Sequence, residues 1–440
     1  MTTLLERAKG SVLDIVVNYH APPDTIVLLS PHAQNIRYLE FPYNCWTDIL
    51  ALSQVISGQL SLLRTLKIYT LYDDGDHDIQ RSISTTPSLP LFSGSVNLEE
   101  FNLRSDGALV VSLDHFVFPN LTTFNLSVWQ TDPFDASQVL DFLKASPTLR
   151  TVKVKIHGRM TPERIPQYMF VILPNVETFS LYGEDDVWHI YALATHISCP
   201  RAKCTSLTDR AHDDRMAHDL EIFPDPTSWK RIVHQYTTGP VEEVTLEIDG
   251  SWPTTTCSLT FQSSDATVIR LRFTTFGHRV REFPHEEMDL KVFSRACLTI
   301  QGLPLLSHVK RFRIEVKKGA PGVGYSQPMA DQVRALFKSL GPLDKLTIHG
   351  YNLQIFLAPF VGPRDYRCSE PVFPHVQRLA ISESLMVDDH QCTDDIVNLA
   401  KLQYELGRPF EHVTIRARGI PPAMAERLGQ WVGAVDCRKL

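Results

Sequence analysis

The sequence predicts an α/β solenoid, a horseshoe with a parallel concave sheet and helices on the convex side. Three observations predict it. A short pattern, apolar-x-x-apolar-x-apolar, recurs along the chain, as in Leu121-Thr122-Thr123-Phe124-Asn125-Leu126 and Leu149-Arg150-Thr151-Val152-Lys153-Val154. Its copies are regularly spaced. Between several of them lie segments of helical periodicity that end at Gly or Pro. The last four positions of each copy alternate, which is the period of a half-buried strand, and the first apolar residue packs at the turn leading into it. One such strand cannot bury its apolar face alone; stacked on like neighbours it can.

In chain order, Val12 to Val17 reads as a first strand and Ala21-Pro22-Pro23-Asp24 breaks it. Copies follow at Ile36, Leu63 and Leu98, with helical spacing over Asp48 to Ile56 and a polar loop from Tyr72 to Pro90. The copies anchored at Leu98, Leu121, Leu149 and Val176 are 23, 28 and 27 residues apart. This is the range of leucine-rich repeats, so the solenoid is of that kind. Asp135 to Ala145 makes an amphipathic helix between two copies, stopped by Pro147. Trp188 to Ile197 looks helical, and Cys204-x-x-Leu207 is a decayed copy.

The pattern returns at Val241 and Val268. A second series is anchored at Val309, Leu343, Val376 and Phe410, at spacings of 34, 33 and 34. The extra length holds helices over Met329 to Leu340, before Gly341-Pro342, and over Asp394 to Leu406, before Gly407, where Gly suits a C-cap. The organisation predicted is one solenoid over 1–440, an irregular insertion over 199–240, and a capping helix with a tail over 421–440. The Asn or Cys that follows the strand in strict leucine-rich repeats is missing: Leu126 is followed by Ser-Val-Trp, Leu181 by Tyr-Gly-Glu and Ile348 by His-Gly-Tyr. Without that ladder the turns are expected to be irregular.

Composition narrows the function. At 43% hydrophobic and 21% charged the 440-residue chain is that of a folded soluble protein. A net charge of −7 argues against a dedicated nucleic-acid binder. The eight cysteines contain no C-x-x-C pair and fit free thiols in a reducing compartment, so the location expected is cytoplasmic or nuclear. No stretch approaches the ~18 apolar residues of a membrane helix. No catalytic, cofactor or metal motif stands out. His212-Asp213-Asp214 with His218 has the wrong spacing for one helical face, Asp73 to Asp78 lacks the closing Glu of a calcium loop, and Lys317 to Gly324 lacks a G-K-[ST] ending. Trp129, Trp188, Trp229 and Trp252 are read as packing residues.

Two features carry a family resemblance. One is Leu4-Leu5-Glu6-Arg7-Ala8-Lys9 leading into Leu13 to Val17; the other is the line Phe-Pro-x-Leu/Val-x-x-Phe/Leu-x-Leu/Ile, seen in Phe118 to Leu126 and Phe373 to Ile381. On these the chain resembles the F-box and leucine-rich-repeat-like proteins of mushroom-forming fungi. The resemblance implies repeats that bind a protein substrate for a cullin-type ubiquitin ligase. No Leu-Pro-x-Glu opening lies near residue 1, so the ligase adaptor is expected as a partner only if an F-box lies upstream. A stand-alone scaffold is the alternative and an enzyme a distant third.

The candidate binding residues are those that flank the last two apolar positions, because they point away from the core. Many are basic: Lys153, Lys155, Arg270, Arg272, Arg311, Arg313, Lys345, Arg378 and Arg416, with His412 beside the last. Acidic runs fall in the connectors. The partner expected is an acidic or phosphorylated protein segment, to which arginine forks are suited; no nucleic acid, membrane or cofactor is expected.

Overall fold

The computed structural model describes residues 10–18, 27–43, 60–70, 95–106, 116–129, 136–157, 169–184, 193–212, 231–233, 239–249, 254–276, 296–301, 308–317, 327–350, 354–361, 375–383, 390–417 and 423–439, with a few further positions between these ranges. The protein is α/β, and its strands are mostly parallel. It divides into two compact units, Met1–Asp209 and Arg210–Leu440. The boundary falls inside the stretch 199–240, for which an irregular insertion is predicted.

The first unit holds β1 (Leu13–Val16), β2 (Ile36–Tyr43), β3 (Thr65–Thr70), β4 (Glu100–Asp106), β5 (Thr123–Trp129), β6 (Thr151–His157), β7 (Val171–Ile172), β8 (Thr178–Glu184), β9 (Ile197–Ser198) and most of β10 (Cys204–His212). The order is β1-β2-β3-β4-β5-β6-β8-β10, with β7 and β9 paired separately. Neighbours from β1 to β8 are parallel. The motif explains the register. Its second apolar residue forms one row, Leu39–Leu66–Phe101–Phe124–Val152–Phe179, and its third the next, Phe41–Ile68–Leu103–Leu126–Val154–Leu181. All are buried. The first apolar residues, Leu63, Leu98, Leu121, Leu149 and Val176, are buried at tight turns. Each donates its N–H to the carbonyl three residues back, at 3.1–3.4 Å.

Behind these strands lies a phenylalanine cluster. Phe101 meets Phe116 at 5.0 Å, Phe118 at 5.1 Å and Phe124 at 6.0 Å, and Phe124 meets Phe142 at 4.4 Å between ring centres. Phe142 comes from α1 (Ala136–Lys144), which buries Val139, Leu140, Phe142 and Leu143 as its amphipathic spacing predicts.

The structure corrects the ladder expectation for this unit. The tie between successive turns exists, but it sits before the strand rather than after it. Asn97 Nδ2 donates to Ser61 O at 2.6 Å, Asn120 Nδ2 to Val96 O at 2.7 Å, Thr148 Oγ1 to Pro119 O at 3.1 Å and Asn175 Nδ2 to Pro147 O at 3.1 Å. Each donor is the residue just ahead of the first apolar anchor, and each acceptor is one residue earlier in the preceding copy. Two further expectations shift. Residues 193–195 are helical, but Ile197 belongs to β9, and the decayed copy at Cys204 is a nine-residue strand with Thr205 and Leu207 buried. Of the helix predicted over Asp48 to Ile56, only Ile49, Leu52 and Ser53 are described, all helical and buried. The loop 72–90 lies outside the described residues.

The second unit holds β11 (Val241–Asp249), β12 (Thr254–Ser263), β13 (Val268–Phe276), β14 (Arg311–Val316), β15 (Leu343–Gly350), β16 (Val376–Glu383), β17 (His412–Ala417) and β18 (Ala434–Lys439). Its helices are α2 (Gln327–Ser339), α3 (Gln354–Val361), α4 (His390–Glu405) and α5 (Ala423–Gly429). The strand order is β13-β12-β11-β14-β15-β16-β17-β18. From β11 through β14 to β18 the pairs are parallel, with buried rows Val244–Phe312–Leu346–Leu379–Val413 and Leu246–Ile314–Ile348–Ile381–Ile415.

A parallel sheet predicted throughout fails here. The copies at Val241 and Val268 are not neighbours: β12 lies between them, antiparallel to both. The β12–β13 hairpin turns without glycine. Ala266 takes φ 65°, and the Asp265 carboxylate accepts from the Ser263 hydroxyl and from the Thr267 N–H at 3.1 Å.

Helix ends follow local chemistry. After α4, Gly407 has φ 70°. Its N–H reaches Tyr404 O at 2.9 Å and that of Arg408 reaches Gln403 O at 2.9 Å, a Schellman closure. The end of α2 is closed by the Ser339 hydroxyl on Leu336 O at 2.6 Å. Gly350 ends β15 at φ 119°, and a Cβ there would lie 1.8 Å from Val316 O, so only glycine fits. The segment 421–440 carries α5 as its helix, and its tail forms β18, with Val435 beside Val413 and Cys437 beside Ile415. Among the described residues no helix is long and apolar enough to cross a membrane, and no group of three or more His, Cys, Asp or Glu could hold a metal ion. Most of the weighed metal and glycine-rich segments, 73–78, 213–219 and 318–324, lie outside the described residues.

Candidate functional site

Alternation places polar side chains on the strand face opposite the core, and all nine predicted basic residues are exposed there. The register sorts them into groups. Lys153 and Lys155 lie on β6 of the first unit. In the second unit, Arg311, Lys345 and Arg378 share one row, Glu243–Arg311–Lys345–Arg378–His412. Arg313 lies in the next row beside Thr347, and Arg416 in a third beside Arg438. Arg270 and Arg272, on β13, pair with Thr260 and Ser258 of β12, so β12 and β11 separate them from the Arg311 row.

Carboxylates interrupt the basic surface. Glu243 Oε2 binds Arg311 Nε at 2.9 Å, Glu315 binds Arg313, Glu247 binds Lys317 at 2.5 Å, and Asp436 Oδ2 binds Arg438 at 2.7 Å. The hydrogen bond to Glu247, reinforced by its charge, raises the Lys317 pKa. The Arg438 hydrogen bond holds the Asp436 carboxyl below its ordinary value, with the charges of Arg438, His412 and Arg416 adding to it. Arg272 Nε reaches Ser258 Oγ at 3.3 Å, and Arg378 Nε reaches the Asp344 carbonyl at 3.4 Å. Among the described residues, Lys345 and Arg378 make no ion pair with a carboxylate. They sit on neighbouring strands in one row, about 4.8 Å apart at the backbone.

The face of the first unit differs. One row runs Glu40–Lys67–Asn102–Asn125–Lys153–Ser180, the next Arg104–Ser127–Lys155–Tyr182, and the last Asp106–Trp129–His157–Glu184. Asn125 Nδ2 donates to Asn102 Oδ1, and Asn102 donates to Glu100 at 2.8 Å. Trp129, predicted to be a packing residue, is 51% exposed. Its indole stacks on the His157 ring, with centres 4.5 Å apart and planes 13° apart. His157 is 5.5 Å from the Tyr182 ring, and Lys155 Nζ lies 4.8 Å above that ring. Trp129 and His157 close β5 and β6 in one register row and Tyr182 lies in the next, two residues before the end of β8; only the register between copies brings the three together. Trp188, Trp229 and Trp252 lie outside the described residues.

Cys199, Cys257 and Cys297 are buried, and burial pushes the Cys199 and Cys297 thiols up. No family model matches this chain, and no curated protein matches it.

Proposed function

We propose that the chain is a protein-interaction module of the irregular leucine-rich-repeat kind, a horseshoe whose polar strand face recognises an acidic or phosphorylated segment of a partner. The observation that carries this reading is the Lys345–Arg378 pair, adjacent cations in one row with no carboxylate on either among the described residues. Both project from strands fixed by a buried ladder, so the backbone that presents them needs no ordering when an anion bridges them. The reading supplies no chemistry beyond complementarity of shape and charge. The family resemblance adds a specific version, substrate recognition for a cullin-type ubiquitin ligase; a stand-alone scaffold would use the same face.

The test is fluorescence anisotropy with a labelled glutamate-rich peptide and its phosphoserine counterpart. Binding is expected to fall at least tenfold in Lys345→Glu/Arg378→Glu and to weaken as salt is raised. Unchanged binding in that variant would sink the reading. Affinity capture of the full chain then separates the versions: cullin and its adaptor among the retained proteins support the ligase role, and their absence beside a reproducible partner supports the scaffold.

A further inference from the structure

The aromatic stack at the ends of β5, β6 and β8 is a separate feature of the first unit. Three rings from three neighbouring strands lie in contact, with Trp129 outermost and half exposed, His157 buried in the middle, and Tyr182 beneath the Lys155 ammonium. An indole held flat by a ring on one side is a ready platform for another planar or apolar group. Cations stand next to it. Ser127 lies in register between Arg104 and Lys155, each one strand away, and Trp129 is two residues further along the same face of β5. A group seated over Ser127 therefore lies one strand from the backbone of each cation and two residues from that of Trp129.

We propose that Trp129, with Arg104, Ser127 and Lys155, binds a peptide segment that presents an aromatic side chain next to a carboxylate. The ring lies against the Trp129 indole and the carboxylate sits over Ser127 between the two cations. Charge complementarity selects the acid, and the stack selects the ring. The proposal rests on the reading of the strand face as a protein-binding surface, but it adds a second chemistry in the first unit, independent of Lys345 and Arg378.

The experiment compares two labelled probes on the full chain: a glutamate-rich peptide with one central tyrosine, and the same peptide with serine in its place. The native chain is expected to prefer the tyrosine peptide about five- to tenfold, the discrimination an aromatic contact supplies. That preference falls to about one in Trp129→Ala, is partly kept in Trp129→Phe, and persists in Lys345→Glu/Arg378→Glu. Lys155→Glu weakens both peptides. No preference in the native chain, or a preference that survives Trp129→Ala, overturns the proposal; so does tighter binding of oligothymidylate than of the tyrosine peptide. Loss of acidic-peptide binding in Lys345→Glu/Arg378→Glu with no tyrosine preference anywhere would leave the function reading standing and this one fallen.

Discussion

The two units solve one problem in different ways. Each must hold a row of short parallel strands in register. The first unit, with copies 23 to 35 residues apart, does it with side chains. Asn97, Asn120, Thr148 and Asn175 each bond a carbonyl of the preceding copy, and phenylalanines fill the layer behind. In the second unit the series from Val309, with copies 33 to 34 apart, has His308, Pro342, His375 and Pro409 at the same position before the anchor, and Pro has no donor. There the added residues form α2, α3 and α4, whose Val333, Leu336, Phe337, Phe356, Leu357, Ile396 and Leu399 are buried. The residue ahead of the anchor separates the two series: Asn or Thr makes a tie to the preceding copy in the first unit, whereas α2, α3 and α4 supply a helical layer in the second.

The largest effect should come from breaking the phenylalanine layer. Phe124→Ala removes a ring that touches both Phe101 and Phe142 and leaves a cavity the fixed strands cannot close. The expected cost is about 3–5 kcal/mol in urea unfolding. Leu346→Ala, in the matching buried row of the second unit, should cost about 2–5 kcal/mol, less than the loss of the larger ring. Equal costs would mean that the two layers pack alike and that the comparison has no energetic content.

The tie itself gives a smaller and sharper test. Asn120→Ala deletes one exposed side-chain-to-backbone bond, for an expected loss of about 0.5–1.5 kcal/mol. Pro342→Ala, at the equivalent place in the second unit, removes no such bond and should change stability by less than about 0.5 kcal/mol. Thermal unfolding of both variants checks this, and a neutral Asn120→Ala would demote the ladder to decoration.

These details mark where sequence reading stops. The anchors and strand alternation were legible because burial leaves a period: Leu98, Leu121, Leu149 and Val176 are all buried where the pattern puts them. The helix at Ala136–Lys144 and the Gly407 cap were legible for similar local reasons. The tie was not, because one Asn or Thr ahead of each anchor has no periodic signature and its acceptor is a backbone carbonyl in another copy. Strand β12 escaped because Thr254 to Phe261 alternates without an anchor residue and its turn uses Ala266 and Asp265 instead of glycine. Of the candidate site, the outward-facing basic residues could be named; which of them carboxylates neutralise depends on register between copies, and so did the Trp129 stack.

The smallest effect concerns the ion pairs on the two faces. In the first unit Arg64 and Glu99 meet at 2.8 Å with side chains 61% and 51% exposed; in the second, Arg311 and Glu243 meet at 2.9 Å with side chains 49% and 26% exposed. Arg64 and Glu99 join successive copies just ahead of β3 and β4, and Arg311 and Glu243 join the neighbouring strands β14 and β11. Solvent screens each strongly, so double-mutant cycles to alanine should give less than about 1 kcal/mol in either case. The less exposed pair should couple more, and both couplings should shrink between low and high salt. If Arg64–Glu99 couples as strongly as Arg311–Glu243, exposure is not what separates the faces. A clear excess at Arg311–Glu243 would mean that Glu243 holds one arginine of its row in place while Lys345 and Arg378 stay available to an anionic partner.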